Sequence, residues 1–134
     1  VRNSVGLEFN PANGHLWFTD NQTDGMGDTT PPGELNRATR PGKHFGYPWL
    51  GGRSVRITEH GYDKDALPAN LTPPEVETEA HAADLGLTFY TGTQFPAEYR
   101  GGIFSAQHGS WNRTTPIGAR IMFTKLKADG SAEK

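Results

Sequence analysis

The sequence predicts an all-β fold, and three observations lead to it. Glycine accounts for 17 and proline for 10 of the 134 residues, a composition that favours turns over long helices. Apolar residues make up 34% of the chain, and no segment repeats them with the roughly 3.6-residue period of a helix. Short alternating apolar runs bounded by turn residues occur instead.

Charge and cysteine content exclude several classes of protein. The formal net charge is −2 and the basic residues are scattered, so the sequence predicts no nucleic-acid partner. No apolar run approaches the ~20 residues that cross a bilayer, so it predicts no membrane span. The absence of cysteine removes disulfides, thiol catalysis and Cys-ligated zinc, and it fits an exported bacterial protein.

The first predicted element is a β-hairpin. Ser4 to Phe9 alternates apolar with small or charged residues, as a strand does. The segment from Asn10 to Gly14 is a strong turn, because its Asn-Gly pair supplies positive φ angles. Leu16 to Thr19 is the returning strand.

A long polar segment, Asp20 to Gly42, follows the hairpin and is predicted to be a loop. Its acidic and amide side chains alternate with glycines, and such oxygen-rich loops suit a hard cation such as calcium. The helix–loop–helix calcium pattern fails, because Pro31 occupies the position that requires a bidentate Glu. Two interpretations stay open, a solvated acidic loop and a calcium site built from backbone carbonyls.

An aromatic segment, Phe45 to Leu50, is predicted to form a structural corner in which Gly46 permits close approach of the backbone. Stacking of a sugar on Tyr47 or Trp49 is the alternative interpretation. The next segment, Arg53 to Pro74, is rich in turn residues and is expected to be irregular.

The second half of the chain predicts three further strands, at Leu85 to Tyr90, Gly102 to Ala106 and Ala119 to Lys127. Short strands in two hairpin modules, separated by long loops, match in outline the blades of a β-propeller, whose loops on one face build the site. The chain is therefore expected to be one partial propeller domain over residues 1–134. Its modules are placed at 1–56 and 80–134, joined by an irregular segment.

A polar stretch follows the strand predicted at Gly102 to Ala106. An imidazole, a hydroxyl, an indole, an amide and a guanidinium come together in it, on His108, Ser110, Trp111, Asn112 and Arg113. Loops on a rigid scaffold often carry function, so a ligand site is one interpretation and a well-bonded corner is the other.

A series of short motifs occurs in a specific order from Arg2 to Lys127. The motifs are Arg2-Asn3, Gly6-Leu7-Glu8-Phe9, Leu16-Trp17-Phe18-Thr19-Asp20-Asn21, Pro32-Gly33-Glu34-Leu35-Asn36, Phe45-Gly46-Tyr47-Pro48, Leu85-Gly86-Leu87, Phe95-Pro96, Tyr99-Arg100-Gly101 and Gln107-His108-Gly109-Ser110-Trp111-Asn112-Arg113. Each motif alone is weak, but their shared order resembles the soluble glucose/sorbosone dehydrogenase family, especially its sorbosone and pyranose dehydrogenase branch.

The resemblance implies a six-bladed β-propeller, of which this chain would form about two to three blades with long loops on one face. It implies pyrroloquinoline quinone (PQQ) as cofactor, bound together with calcium. It also implies oxidation of a sugar or polyol, with electrons passing to an external acceptor other than NAD. A periplasmic or secreted location fits such an enzyme.

The resemblance also implies four cofactor-binding residues. Arg2 and Asn3 match the pair that contacts the quinone, and both side chains can donate to oxygens that gain negative charge on reduction. Arg113 and His108 match the place of a cationic group near the PQQ carboxylates, which a guanidinium binds bidentately.

For the metal, the resemblance implies that Gln22 and Thr23 hold calcium through their backbone carbonyls, with Asp20 or Asp24 assisting. The family usually has Gly-Arg in place of Gln22-Thr23, and the lost glycine flexibility bears on the carbonyl geometry. The family also usually has an acidic residue where this chain has Gly33, and a proline where this chain has Asp84.

The family's catalytic base is a histidine in an early blade, which the motif order places upstream of Arg2. The five histidines of this chain, at positions 15, 44, 60, 81 and 108, lack its sequence context. Removing hydride from a sugar requires a base for the hydroxyl proton, so the chain alone is expected to be catalytically incomplete. It would belong to a longer propeller or assemble as a homo-oligomer, in which about three copies would supply six blades.

Three functions can be compared for a chain with these features. The first is a portion of a PQQ- and calcium-dependent sugar dehydrogenase, and the alternative is a non-catalytic propeller module that has lost the redox site. A hydrolase is disfavoured, because Gly-x-Ser-x-Gly is absent and Ser110 lies too close to His108 in sequence to form a relay.

Overall fold

The computed structural model describes residues 1–133, and this part of the chain is all-β with no α-helix. Its strands are β1 (Leu7–Phe9), β2 (Leu16–Asp20), β3 (Gly33–Ala38), β4 (Leu50–Gly51), β5 (Val55–Arg56), β6 (Val76–Thr78), β7 (Asp84–Phe89), β8 (Ile103–Gln107) and β9 (Arg120–Thr124). Two 3-10 turns lie at Tyr62–Lys64 and Ala97–Tyr99. Within residues 1–133, no helix has the length and apolarity needed to cross a membrane.

The strands form three antiparallel sheets, with the orders β1-β2-β3-β6, β4-β5 and β7-β8-β9. The all-β prediction is confirmed, and the sheets are consistent with part of a β-propeller. The number of blades and the module bounds at 1–56 and 80–134 stay predictions. The first sheet also takes in β6, which lies in the segment between those modules.

The predicted first hairpin is present. Its turn closes through two backbone N–H groups, those of Asn13 and Gly14, which donate to the carbonyl of Asn10 at 3.3 and 2.8 Å. Gly14 has a φ of 72°, the left-handed conformation that the Asn-Gly signal anticipates. The pairing aligns Leu7 with Phe18, so alternate apolar residues of β1 and β2 share a face.

The prediction of one continuous loop from Asp20 to Gly42 was wrong, because strand β3 lies inside this segment. Residues Glu34 to Ala38 of β3 pair with the whole of β2. Strand β3 is buried on both faces but contains little apolar sequence, because Leu35 joins the core on one face while Glu34 and Asn36 occupy the other. Buried partners stabilise it instead, because the Glu34 carboxylate accepts from Gly52 N at 2.6 Å and from Asn36 Nδ2 at 2.8 Å. The remaining loop spans residues 21–32.

The core lies between the first and third sheets. Its buried members are Trp17, Leu35, Phe89, Ile103 and Ala132. Trp17 meets Phe89 edge-on with ring centroids 6.3 Å apart, a geometry that aromatic pairs favour. The sheets therefore pack face to face, and this packing fixes the relative positions of the loops at their edges.

Gly6 makes this close packing achievable. A Cβ at this position would lie 2.3 Å from the carbonyl oxygen of Leu85, so only glycine fits. Beside it, Thr19 Oγ1 donates to the same Leu85 carbonyl at 2.8 Å. The end of β2 and the start of β7 are thereby held together, and the loops that leave them share one edge.

The predicted corner at Phe45 to Leu50 is also present. Gly46 has a φ of 97°, and a Cβ there would lie 2.9 Å from the Leu50 carbonyl oxygen. Phe45 packs edge-on against Phe18 with centroids 4.9 Å apart, which covers part of the first sheet. The corner is thus a packing element of the fold.

Candidate functional site

A polar cleft of about 170 Å³ opens at the edge where β2 and β8 end and β3 and β7 begin. Its walls come from five separate segments of the chain. The lining residues are Arg2, Asn3, Asn21, Gln22, Asp24, Gly33, His81, Ala83, Leu85, Trp111 and Asn112. The polar groups in this lining make the cleft the candidate site of the described residues.

The buried side chain of Asp20 positions the first wall of the cleft, which contains Arg2 and Asn3. Its carboxylate is fully buried and accepts from the backbone N–H groups of Arg2 at 3.0 Å and Asn3 at 2.8 Å. It also accepts from Ser4 Oγ at 2.9 Å and Gln22 Nε2 at 3.3 Å. Arg2, Asn3 and Ser4 belong to the segment before β1. By accepting their hydrogen bonds, Asp20 holds Arg2 and Asn3 at the rim of the cleft.

Of the four residues that the resemblance marks for the cofactor, the structure brings two into the cleft. Arg2 and Asn3 line it, and Arg2 Nη1 donates to the Asn21 carbonyl at 3.4 Å. His108 is exposed and outside the lining, with its ring 3.4 Å from the Gly109 carbonyl oxygen. Arg113 donates through Nη1 to the Ala80 carbonyl at 3.2 Å and also lies outside the lining.

Of the four residues that the resemblance marks for calcium, two also line the cleft and two do not. Gln22 and Asp24 line the cleft, and Oε1 of Gln22 is buried without a hydrogen-bond partner in the described chain. Thr23 is buried and donates its hydroxyl to the Glu59 carboxylate, and Asp20 is occupied by the donors described above. Residues 1–133 contain no group of three or more His, Cys, Asp or Glu side chains arranged to hold a metal.

Sequence reasoning missed the role of His81. Its side chain is only 4% exposed, lines the cleft and lies in a residue with a φ of 67°. Its Nδ1 accepts from Asn112 Nδ2 at 3.1 Å, and its Nε2 donates to the Gly27 carbonyl at 2.8 Å. The available signal was positional, because His81 directly precedes β7 at the same sheet edge as the loop that follows β2.

Asn112 connects three of the cleft's segments. Its Nδ2 donates to Asp24 Oδ1 at 2.7 Å as well as to His81, and its own Oδ1 is buried without a partner among residues 1–133. Nearby, Thr114 N donates to Asp28 Oδ2 at 2.9 Å. The hydrogen bonds from Thr114 lower the pKa of Asp28, so this carboxylate stays ionised as it anchors the loop.

Ser110 has a structural role in the loop from 108 to 119. Its N–H donates to the Ile117 carbonyl at 2.9 Å, and its Oγ accepts from Ile117 N at 3.0 Å. The two ends of this loop approach so closely that a Cβ on Gly118 would lie 2.4 Å from Gly109 Cα. These contacts hold Trp111 and Asn112 at the cleft, with Trp111 83% exposed.

Comparison with known proteins gives a relative and several structural neighbours, while no family model matches the chain. A protein of Borreliella burgdorferi described only as uncharacterized is 43% identical over 122 residues, which cover 90% of this chain and 32% of that protein. A calcium structure of a Trichoderma reesei protein of Carbohydrate-Active Enzymes family AA12 has a TM-score of 0.70 at 24% identity. That match covers 100% of this chain and 39% of the other.

Two further structural neighbours are described as dehydrogenases. The holo pyranose dehydrogenase PQQ domain of Coprinopsis cinerea has a TM-score of 0.64 at 19% identity, covering 98% of this chain and 39% of that one. The soluble aldose sugar dehydrogenase of Escherichia coli, in its apo form, has a TM-score of 0.58 at 21% identity, covering 97% and 40%. At these identities the likeness shows a shared fold, and the chain spans about two fifths of each neighbour.

Proposed function

We propose that the chain is a portion of a PQQ- and calcium-dependent sugar dehydrogenase of the sorbosone or pyranose type. The observation that carries the proposal is the placement of Arg2 and Asn3 at the rim of a polar cleft by a fully buried Asp20. A buried carboxylate that serves to display two strong donors is expected at a site for an anionic or carbonyl-rich ligand.

The residues present fit PQQ in their chemistry. The Arg2 guanidinium and Asn3 amide supply donors for carbonyl and carboxylate oxygens, and the exposed Trp111 ring offers a flat apolar face. At about 170 Å³ the cleft is smaller than the roughly 300–1,000 Å³ of a typical ligand pocket, so it would enclose part of a tricyclic cofactor. When bound, PQQ would supply the two-electron acceptor for oxidation of a sugar or polyol.

The residues also fit calcium. Calcium prefers oxygen ligands, and the cleft presents the Asp24 carboxylate with two amide oxygens that lack partners in the described chain, those of Gln22 and Asn112. Amide oxygens without a donor are suitable ligands for such a cation. Backbone carbonyls of Gln22 and Thr23 stay part of the proposal.

The catalytic base is proposed to lie outside this chain, upstream in the family's order. His81 is the histidine of the cleft lining, but each of its ring nitrogens already has a hydrogen-bond partner. Removing a hydroxyl proton requires a nitrogen lone pair aimed at the substrate. His81 therefore fits a positioning role better than that of the base.

The structural neighbours support this proposal, since they include a pyranose dehydrogenase PQQ domain, a calcium structure of a family AA12 protein and a soluble aldose sugar dehydrogenase. The sugar substrate, the external electron acceptor and a periplasmic or secreted location follow from the same proposal. The outer sheet faces expose Leu7, Phe9 and Ile121, surfaces suited to the remainder of a longer propeller or to further copies of the chain. A non-catalytic module is not favoured.

The experiment is a titration of the protein with PQQ, followed by absorbance, in calcium and then in chelator. Saturable binding that depends on calcium is expected. Arg2→Ala should weaken PQQ binding by about 1–3 kcal/mol, the range for a lost hydrogen bond to a charged group. Arg100→Ala is the matched control, because Arg100 is exposed in the loop between β7 and β8, at the opposite edge of the sheet. Equal affinities for both variants would overturn the assignment of Arg2.

A further inference from the structure

A continuous surface of aromatic and imidazole rings lies outside the cleft, on the corner at Phe45 to Leu50 and the turn at Tyr62–Lys64. Neighbouring rings in it have centroids 5.3 to 6.4 Å apart, the range over which aromatic rings contact one another. This surface, the aromatic ribbon, consists in order of contact of His44, Trp49, Tyr62, His60 and Tyr47.

The aromatic ribbon is exposed to solvent and is also held rigidly by the backbone. Tyr62 is 42% exposed, as is 40% of the His60 side chain, while Trp49 is half-buried between its neighbours. The N–H of Trp49 donates to the Gly46 carbonyl at 3.0 Å, and its carbonyl accepts from the N–H of the fully buried Ile57 at 3.1 Å. A surface fixed in this way loses little conformational entropy when it binds a ligand.

Hydrogen-bonding groups line one edge of the aromatic ribbon. The Tyr47 hydroxyl lies 2.5 Å from His60 Nε2, and when the phenol donates to this nitrogen the imidazole carries its N–H at Nδ1. Glu59 Oε2 lies 3.5 Å from His60 Nε2 and accepts from the Thr23 hydroxyl. Within residues 1–133, neither His60 Nδ1 nor Glu59 Oε1 has a hydrogen-bond partner. The edge therefore presents one donor and one acceptor to a ligand.

We propose that the aromatic ribbon is a saccharide-binding surface, on which pyranose rings lie against Tyr62 and Trp49 while His60 and Glu59 hydrogen-bond to their hydroxyls. The C–H groups on the face of a pyranose suit the negative face of an aromatic ring. A hydroxyl both donates and accepts, so neighbouring hydroxyls match the imidazole N–H and the carboxylate oxygen. Aromatic side chains with a few polar groups that fix orientation are a common lining of ligand sites.

A proline-rich peptide also docks on aromatic surfaces, but it fits the aromatic ribbon less well. Its carbonyl groups only accept and proline has no N–H, so such a peptide requires donors from the protein. The indole N–H of Trp49 is buried and the Glu59 carboxylate is an acceptor, which leaves the edge with few donors. The mixed set of donor and acceptor favours a polyhydroxylated ligand.

The aromatic ribbon borders the cleft but shares no residue with its lining. The link is the hydrogen bond from Thr23 to Glu59, because Thr23 directly follows Gln22 of the cleft lining. The proposal stands on the geometry of the aromatic ribbon and requires neither PQQ nor the cleft. It therefore adds a second binding surface to the function proposed above.

The test is a titration of the protein, without PQQ, with cellotetraose and with maltotetraose, followed through the indole N–H resonances in nitrogen–proton correlation spectra. The three tryptophans report on three places, since Trp17 lies in the core, Trp49 in the aromatic ribbon and Trp111 in the cleft lining. A saturable shift of the Trp49 resonance with at least one saccharide is expected. No Trp49 shift at up to about 10 mM saccharide, or a shift confined to Trp111, would overturn the proposal. A Trp49 shift with an octaproline peptide but with neither saccharide would also overturn it.

Variants of the exposed members identify the binding groups. Tyr62→Ala should weaken saccharide binding at least about fivefold, because it removes an exposed ring on which the pyranose stacks. Phe95→Ala is the matched control and should leave the affinity unchanged, since Phe95 is 47% exposed and stacks on Tyr90 in the loop between β7 and β8. Unchanged affinity in a folded Tyr62→Ala protein would overturn the proposal.

A second variant keeps the test decisive if Tyr62→Ala does not fold. His60→Ala should weaken saccharide binding about threefold or more through the lost hydrogen bond, and unchanged affinity in that variant would overturn the proposal. The outcome is separate from that of the PQQ titration. A Trp49 shift in a protein that does not bind PQQ would refute the proposed function while leaving the aromatic ribbon intact, and PQQ binding without a Trp49 shift would do the reverse.

Discussion

Two buried carboxylates hold opposite walls of the cleft by different means. Asp20, at the end of β2, accepts from two backbone N–H groups of the segment before β1, together with the Ser4 hydroxyl and the Gln22 amide. Asp84, at the start of β7, accepts from side chains, namely Thr78 Oγ1 at 2.6 Å, Gln107 Nε2 at 3.1 Å and Ser105 Oγ at 3.4 Å. A backbone N–H can only donate, whereas a hydroxyl can reverse and accept. The wall built on Asp20 should therefore tolerate less change.

The largest expected effect comes from Asp20→Asn. With its oxygen at the Oδ1 position the new amide still accepts from Asn3 N and Ser4 Oγ, but its N–H₂ group then takes the Oδ2 position, 3.0 Å from the Arg2 N–H, so that two donors face each other and the buried negative charge is lost. We expect a loss of about 3 kcal/mol in the free energy of unfolding, measured by urea denaturation. Asp129→Asn is the control, because Asp129 is exposed and its carboxylate accepts from the nearby Ser131 through Oδ1. A loss no greater than the control's would break the comparison.

The next largest loss of stability is expected at the contact between the first and third sheets, because the positions of both cleft walls depend on this contact. Gly6→Ala would force a methyl group to 2.3 Å from the Leu85 carbonyl oxygen, and overpacking of this kind costs about 1–3 kcal/mol. Gly86→Ala, on the neighbouring strand, is the matched control, since its Cβ would meet no atom within 4 Å. Thermal unfolding of the two variants measures the difference, and equal melting temperatures would contradict the packing described.

A pH effect arises from Glu34, a third buried carboxylate in the first sheet. Burial raises the pKa of Glu34 from 4.5 to about 7, so the folded protein keeps this proton over a range in which the unfolded chain has lost it. Its contribution to stability is therefore present below about pH 4.5 and lost as pH rises to about 7.

Glu34→Gln should accordingly flatten the fall in unfolding free energy between pH 5 and pH 7.5 by on the order of 2 kcal/mol. The parent protein measured at the same pH values is the reference. Burial also lowers the pKa of His44, which acts with the opposite sign in this range, but that contribution is common to both proteins. Parallel pH profiles for parent and variant would contradict the assignment to Glu34.

The smallest effect is expected for Asp84→Asn. With its N–H₂ group at the Oδ1 position, the new amide can donate to a reversed Ser105 hydroxyl while its oxygen still accepts from Thr78 and Gln107, so we expect a loss of about 1 kcal/mol in unfolding free energy. Urea denaturation beside Asp20→Asn gives the ratio. A loss as large as that of Asp20→Asn would show that the donor type does not decide the tolerance of the two walls.

Much of the fold could be predicted, because the relevant signals are local. The Asn-Gly turn at Asn13 and Gly14 and the apolar run at Leu85 to Tyr90 each specify a strand end or a strand without reference to the rest of the chain. Strand β3 could not be found this way. Glu34 and Asn36 look like loop residues until their buried partners, Gly52 among them, are known.

The site was predicted only in part for a similar reason. A sequence motif predicts a role for Arg2 and Asn3, and Asp20 holds both residues at the rim of the candidate cleft. The grouping of His81 with Asp24 and Asn112 depends on contacts between distant segments, which no local pattern records. His108 and Arg113 matched by sequence position, but the turn at Gly109 and the Ala80 carbonyl direct them away from the cleft lining.

The hydrogen bond between Asn112 and Asp24 joins residues 88 positions apart, and this separation has a consequence for biosynthesis. A growing polypeptide emerges from the ribosome at about 5–20 residues per second, so the first wall is exposed for several seconds before Asn112 is made. The wall that includes Asn112 is therefore absent until that residue has been made, and any ligand that needs both walls can bind only after that point of synthesis.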